Sequence, residues 1–238
     1  MRIADRVEML EVGSVFPVLI WSDTDMALVD ACYPLQYDEL KAAVRAAGFS
    51  VRDITKIILT HQDLDHIGCV KEVLEAAPKA RVLAHRDEAP YIDGRKTPVK
   101  LTDLRKNRAH LDEALLQRMH DLEAGFSGRR IRIDEELSGG DTVMDDIRVI
   151  HTPGHTPGHI CLFAQSGGVL ITGDALNVKD GALSGPNPVH TKDMNLAMAS
   201  LRPLADLPIA SVIAYHGGLF RGDVRSAISK IISGHRPA

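Results

Sequence analysis

Residues 57–69 read ILTHQDLDHIGCV, placing two histidines and two aspartates within six positions directly behind the run Lys56-Ile57-Ile58-Leu59. That run predicts a strand ending at Leu59, and Gly68 predicts a tight exit toward a following helix, VKEVLEA. His61, Asp63 and Asp65 alternate along the loop, and His66 follows directly. Imidazole and carboxylate are the donors that zinc and neighbouring transition metals take from proteins. Four such side chains in so short a stretch are too polar for a buried core, which leaves either a solvated loop or a metal site.

The second half of the chain favours the metal site. HTPGHTPGH (151–159) follows the strand pattern IRVI and sets three histidines at four-residue spacing among Pro-Gly turns. LITGDALN (170–177) ends a strand with Gly173-Asp174, and IAYHGG (213–218) ends another with His216. Four strands thus each deliver a histidine or aspartate at their C-terminal end, and strand ends along one edge of a sandwich can converge on a multi-ligand site. Further strands are expected over 7–12, 15–21, 26–30 and 81–84 and in HICLFA. Helices are expected in YDELKAAVRAAG, with Gly48 as its C-cap, and near 195–204 and 224–232. Strands and helices interspersed in this way predict an α+β sandwich with helices outside, as one domain over 1–238. Residues 100–126 are rich in charge and carry Leu111, Leu115, Leu116, Met119 and Leu122 at helical spacing. They predict an amphipathic helix packed on the body, in a helical insertion around 91–130, and the same pattern fits a mobile flap over a pocket.

HQDLDH, TPGHTPGH, GDALN and YHGG, in this order and spacing, resemble the metallo-β-lactamase superfamily of binuclear metallohydrolases. The resemblance implies a four-layer αβ/βα sandwich with its metal site at one edge between two sheets. It implies that His61, Asp63 and His155 hold one divalent metal, that Asp65, His66 and His216 hold the other, and that Asp174 bridges them. Zinc is the first expectation, with iron or manganese as alternatives. The family's usual loop is His-x-His-x-Asp-His, and Asp63 departs from it, which bears on the identity of the metal more than on its presence. The implied activity is hydrolysis of an ester, lactone or thioester by a hydroxide held between the metals, with Asp65 or Asp174 orienting it and carrying its proton. Three aspartates and that hydroxide balance two divalent ions, so the ligand set is neutral, whereas a histidine in place of Asp63 would leave one positive charge. A neutral centre favours an uncharged substrate. The alternative is an iron-dependent redox enzyme related to the flavodiiron or persulfide dioxygenase members of the superfamily.

Around this set, His159 is expected to pack or hydrogen-bond beside the site and His151 to point away. His85 and Asp30 sit at strand ends, where they are either orienters behind the ligands or surface residues. His190 and Asn177 are candidate substrate contacts, and His110, His120 and His235 read as solvated. The partner is a small-molecule substrate. A net charge of -4 argues against nucleic acid, and no run approaches the 18 or so apolar residues of a membrane span. The start of the chain lacks a signal-type apolar core, and Cys32, Cys69 and Cys161 are not spaced as a disulfide framework. They are expected to be buried free thiols in a cytoplasmic protein. Oligomeric state is not legible.

Overall fold

The computed structural model describes residues 1–235. Its first sheet contains β1 (Arg2–Ala4), β2 (Val7–Met9), β3 (Val18–Trp21), β4 (Met26–Val29), β5 (Lys56–Leu59), β6 (Arg81–His85) and β7 (Glu135–Leu137), paired in chain order. The second contains β8 (Thr142–Val143), β9 (Ile147–His151), β10 (Ile160–Ala164) and β11 (Val169–Ile171). A separate hairpin, β12 (Asn177–Lys179) with β13 (Ala182–Ser184), precedes β14 (Ser211–Ala214) and β15 (Gly218–Phe220), which complete the second sheet beside β11.

Side-chain alternation along these strands builds the layers. Val18, Ile20, Ile58 and Leu83 of the first sheet face Val149, Ile160, Leu162 and Ile213 of the second in one buried cluster. The intervening Leu19, Ile57 and Leu59 turn outward beneath Leu40 and Val44 of α1 (Tyr37–Ala46). The turn α2 (Leu64–Ile67) and helix α3 (Val70–Ala76) add Ile67, Val70 and Val73 to that layer. On the other side, Cys161, Phe163, Leu170 and Val212 form a third cluster with residues of the last two helices. The result is the expected αβ/βα order, and the strands are apolar on both faces because both faces are covered.

The insertion consists of α4 (Ala89–Ile92), α5 (Val99–Lys106) and α6 (Glu113–Phe126). The single helix expected over 100–126 is broken at 107–112, where Asp112 caps α6 by accepting from the Leu115 N–H at 2.8 Å. Within 100–126 only Leu101 and Met119 are fully buried, and Leu115 is exposed, so the apolar stripe is shallower than its spacing suggested. The last helices are α7 (Met194–Ser200) and α8 (Val224–Gly234). Cys32, Cys69 and Cys161 are buried free thiols. No helix among the described residues is long and apolar enough to cross a membrane.

Candidate metal centre

Strand direction sets which loops meet. β4, β5 and β6 are mutually parallel, so Asp30, the 61–66 loop and His85 leave the first sheet at one edge. β11 and β14 are also parallel, so Asp174 and His216 leave the second sheet together. The β9–β10 turn brings His155 and His159 to the same edge, and the Ile160 N–H joins the sheets by donating to the Thr60 carbonyl at 3.1 Å.

Seven side chains gather there in two groups, His61, Asp63, His155 and Asp174 in one, and Asp65, His66 and His216 in the other. Asp63 Oδ2 lies 3.1 Å from Nε2 of both His61 and His155. Asp65 Oδ2 lies 3.2 Å from His216 Nε2 and 3.7 Å from His66 Nε2. Asp174 faces both groups: Oδ2 is 3.4 Å from His155 Nε2, and Oδ1 is 3.2 Å from His66 Nε2 and 3.4 Å from His216 Nε2.

The atoms behind the cluster fix how it presents itself. Asp30 has φ +60°, a left-handed conformation that Asp tolerates better than most residues. Its Oδ1 accepts from the Thr60 N–H at 2.8 Å, and its Oδ2 accepts from Thr60 Oγ1 and His66 Nδ1, each at 2.8 Å. With its proton committed to Asp30, Thr60 Oγ1 accepts from His61 Nδ1 at 3.1 Å. Thr191 Oγ1 donates to the Asn187 carbonyl at 2.7 Å and accepts from His155 Nδ1 at 3.3 Å. In its neutral form each of the three imidazoles therefore carries its proton on Nδ1 and turns the Nε2 lone pair inward, as metal-binding histidines do. Asp30 is thus an orienter behind two histidines rather than a surface residue. Tyr215 backs the site as well: its ring lies 3.9 Å from that of His66, and its hydroxyl donates to the Asp65 carbonyl at 2.6 Å.

His159 sits beside the cluster. Its Nε2 accepts from the Asp174 N–H at 3.0 Å and its Nδ1 bonds Thr152 Oγ1 at 2.9 Å, so it holds the Asp174 backbone. Gly173 is needed there: φ is +47°, and a Cβ would fall 2.8 Å from His159 Nε2 and 2.9 Å from Thr60 Oγ1. Glu88 braces the 61–66 loop and the β9–β10 turn together. Its Oε2 accepts from the backbone and side-chain N–H groups of Gln62 at 3.0 and 2.8 Å, and its Oε1 from the Gly158 N–H at 2.7 Å. Burial pushes its carboxyl up to about 7 despite these donors.

His85 does not orient a ligand. It stacks on His151 with ring centroids 4.0 Å apart and planes 16° from parallel. His85, Asp87 and His151 form a third group of ligand-type atoms, but parallel rings aim their lone pairs side by side rather than at one point. Burial first, and His151 second, lower His85 to about 4. His110 and His120 are exposed, and His235 bonds Asn195 Oδ1 at 3.0 Å.

The electrostatics are those of a concentrated charge cluster. Burial would raise Asp63, but Lys100 and then His61 hold its carboxyl well below the usual range. Asp174 is likewise opposed by burial and held down by His66 and His155. Burial lowers His61 to about 4, and the neighbouring His66 adds to the shift. Burial also opposes protonation of His66, yet Asp30, Asp65 and Asp174 outweigh it and raise His66 well above an ordinary imidazole. The residues fit a metal on a more direct observation. His66 Nε2 and Asp174 Oδ1 are fully buried and 3.2 Å apart, an ion-pair distance, yet neither makes a well-aligned hydrogen bond. Leaving two buried polar atoms unpaired is costly unless both point at a shared cation.

Above the cluster opens a cleft of about 570 Å³. Its floor is Asp63, Asp65, Asp174 and His216, and its walls include Tyr33, Asn177 and His190 with Lys100 and Arg118 of the insertion. Lys100 ion-pairs with Asp63 and lies 3.5 Å from His155 Nε2. Asn177 is turned to the Gly185 carbonyl at 3.1 Å. Lys100, Arg118 and Glu88 carry no motif, which is why sequence reasoning passed over them; Tyr215 stands in YHGG, where only His216 was singled out.

Two helix-faced sheets with clustered imidazoles and carboxylates at one edge define the class, a metallohydrolase-type αβ/βα sandwich. The chain belongs to the metallo-β-lactamase superfamily, whose family model matches residues 10–216, and is a hydrolase of that fold. It is 31% identical over 198 residues to a Bacillus subtilis protein described as the probable metallo-hydrolase YflN, spanning 74% of this chain and 71% of that one. Among solved structures, a metallo-β-lactamase family protein from Thermus thermophilus superposes with a TM-score of 0.76 at 23% identity, covering 98% of this chain and 80% of that one. AidC, a dizinc quorum-quenching lactonase, superposes with a TM-score of 0.64 at 25% identity, covering 86% and 74%.

Proposed function

We propose that the chain hydrolyses an ester, lactone or thioester of a small molecule at this centre. His61, Asp63 and His155 would hold one divalent metal and Asp65, His66 and His216 the other, with Asp174 placed between the two groups. The pair of buried, unpartnered atoms His66 Nε2 and Asp174 Oδ1 carries the assignment. Zinc is the metal of first choice, supported by the imidazole-rich donor set and the dizinc lactonase among the structural relatives, with iron or manganese favoured to the extent that Asp63 adds carboxylate. Divalent ions at these positions would acidify water and polarise a carbonyl oxygen.

The chain's own residues supply the rest. The Asp30–Thr60 network keeps two Nε2 lone pairs inward, and His159 holds the Asp174 backbone. Asp65 faces the open side of the cleft, where it orients the attacking water and accepts its proton, and Asp174 shares that role from beneath. Burial of the floor excludes bulk water and strengthens these interactions. The test is a panel of lactones, thioesters, aryl esters and phosphodiesters on protein reconstituted with zinc, manganese or iron. Metal-dependent turnover of a carbonyl ester class is expected; oxygen consumption by iron-loaded protein without hydrolysis would replace this reading with a redox one.

A further inference from the structure

The neutral ligand set predicted an uncharged substrate, but the cleft is not neutral. Lys100 Nζ, from α5, ion-pairs with Asp63 at the floor. Arg118, from α6, is half-buried on the wall, and its Nη2 donates to His190 Nδ1 at 2.8 Å across 72 residues of chain. His190 is a neutral acceptor: burial, then the charges of Lys100 and Arg118, lower its pKa. Arg118 takes part in no ion pair among the described residues, whereas Lys192 nearby is paired with Asp103 and Arg105 with Glu123. Asp121, the acid on the wall of the same cleft, accepts from the Gln117 amide at 2.9 Å. Lys100 and Arg118 add two positive charges to the neutral ligand set and Asp121 removes one, which leaves the cleft positive by one.

An arginine in solvent needs no partner. This one is half-buried, pinned by an imidazole and set in the lining of the cleft, with most of its guanidinium donors uncommitted. Because its Nδ1 accepts from Arg118, His190 also presents an Nε2–H donor. A planar fork of N–H groups beside a second donor matches a carboxylate, which accepts in the same plane.

We propose that the substrate is an ester, lactone or thioester bearing a free carboxylate, bound by Arg118 and His190 while its carbonyl lies over the floor, with Lys100 as the second cation of the cleft. The proposal rests on the hydrolase reading above and goes further in naming the substrate's charge. The experiment compares metal-loaded enzyme on a mono-aryl ester of glutaric acid and on the same aryl ester with its free acid capped as a methyl ester. A charge-assisted contact to arginine predicts a preference of about tenfold or more in kcat/KM for the free acid. Arg118→Met should collapse that ratio toward one, chiefly through KM for the acid; Arg118→Lys should restore part of it, and His110→Ala should leave it intact. Glutarate alone should raise the melting temperature of the loaded wild type and not that of Arg118→Met. A wild-type ratio near one, or a ratio unchanged in Arg118→Met, overturns the proposal. If neither ester is hydrolysed, the substrate panel decides the hydrolase reading, and the glutarate melting shift alone decides whether the carboxylate site exists.

Discussion

Replacing Asp30 by asparagine keeps shape and volume and changes only which atoms accept. In the wild type, one carboxylate accepts from the Thr60 N–H, Thr60 Oγ1 and His66 Nδ1, each at 2.8 Å. With the asparagine NH2 toward His66, a donor faces a donor unless His66 moves its proton to Nε2, the metal-facing nitrogen. Thr60 Oγ1 then accepts from the amide and donates to His61 Nδ1, which turns that imidazole the same way. With the NH2 reversed, it opposes the buried Thr60 N–H instead. No orientation satisfies all three. Loss of a partner of this kind costs about 10- to 100-fold in metal affinity, or about 1.4–2.7 kcal/mol. The stabilisation that metal confers on the fold should fall by the same amount, about 3–10 °C of melting temperature at this chain length. Metal titration against a competing chromophoric chelator, with melting curves before and after metal addition, measures both. An Asp30→Asn protein that binds metal as tightly as the wild type and gains as many degrees from it would refute the tautomer argument.

Chelation should lower activity and melting temperature together, since the seven residues come from both sheets; Asp174→Ala should lose at least one metal per chain by elemental analysis, whereas His120→Ala should keep both. Asp63→His removes a carboxylate and strands Lys100, so the centre becomes more positive; in fully loaded enzyme the acid limb of the rate profile should move to lower pH, and zinc should gain over manganese. An unmoved limb would place Asp63 outside the ligand set. Glu88 supplies a pH prediction for metal-free protein. Its carboxyl is raised by burial to about 7 from an ordinary 4.5, so its contribution is full below pH 4.5 and is lost as pH rises through 7. Denaturant melts should show the wild type losing about 3 kcal/mol relative to Glu88→Gln between those limits, and a pH-independent difference would mean that folding does not shift the Glu88 carboxyl.

The strands visible in the sequence were those with a continuous apolar run, several of which also end in a ligand-type residue. β5 matches its expected bounds, and β9, β10, β11 and β14 lie within the runs IRVIHT, HICLFA, VLITGD and SVIAYH. β7, β8 and β12, with sequences EEL, TV and NVK, carry no pattern to read; they are strands because a neighbour supplies hydrogen bonds, a reason that lies outside their own residues. The seven clustered side chains were legible because residue type and spacing recur at four strand ends. The charge of the cleft was not. Lys100 meets Asp63 from 37 positions away and Arg118 meets His190 from 72, so counting the ligand motifs alone produced a neutral centre. The break between α5 and α6 was also hidden, since Asp112 reads as one more polar residue on a helix until its side chain is seen capping one.

The bond set of Glu88 makes the two sheets answerable to each other. Gln62 belongs to the loop that leaves the first sheet, Gly158 to the turn that joins two strands of the second, and one carboxylate spans them. A small slide of one sheet against the other would separate His61 and Asp63 from His155 well before any strand unpaired. Metal affinity should therefore work as a ruler for the sandwich interior. Truncating Ile58 or Leu162, which touch no ligand, should loosen metal binding at temperatures where the strands remain intact.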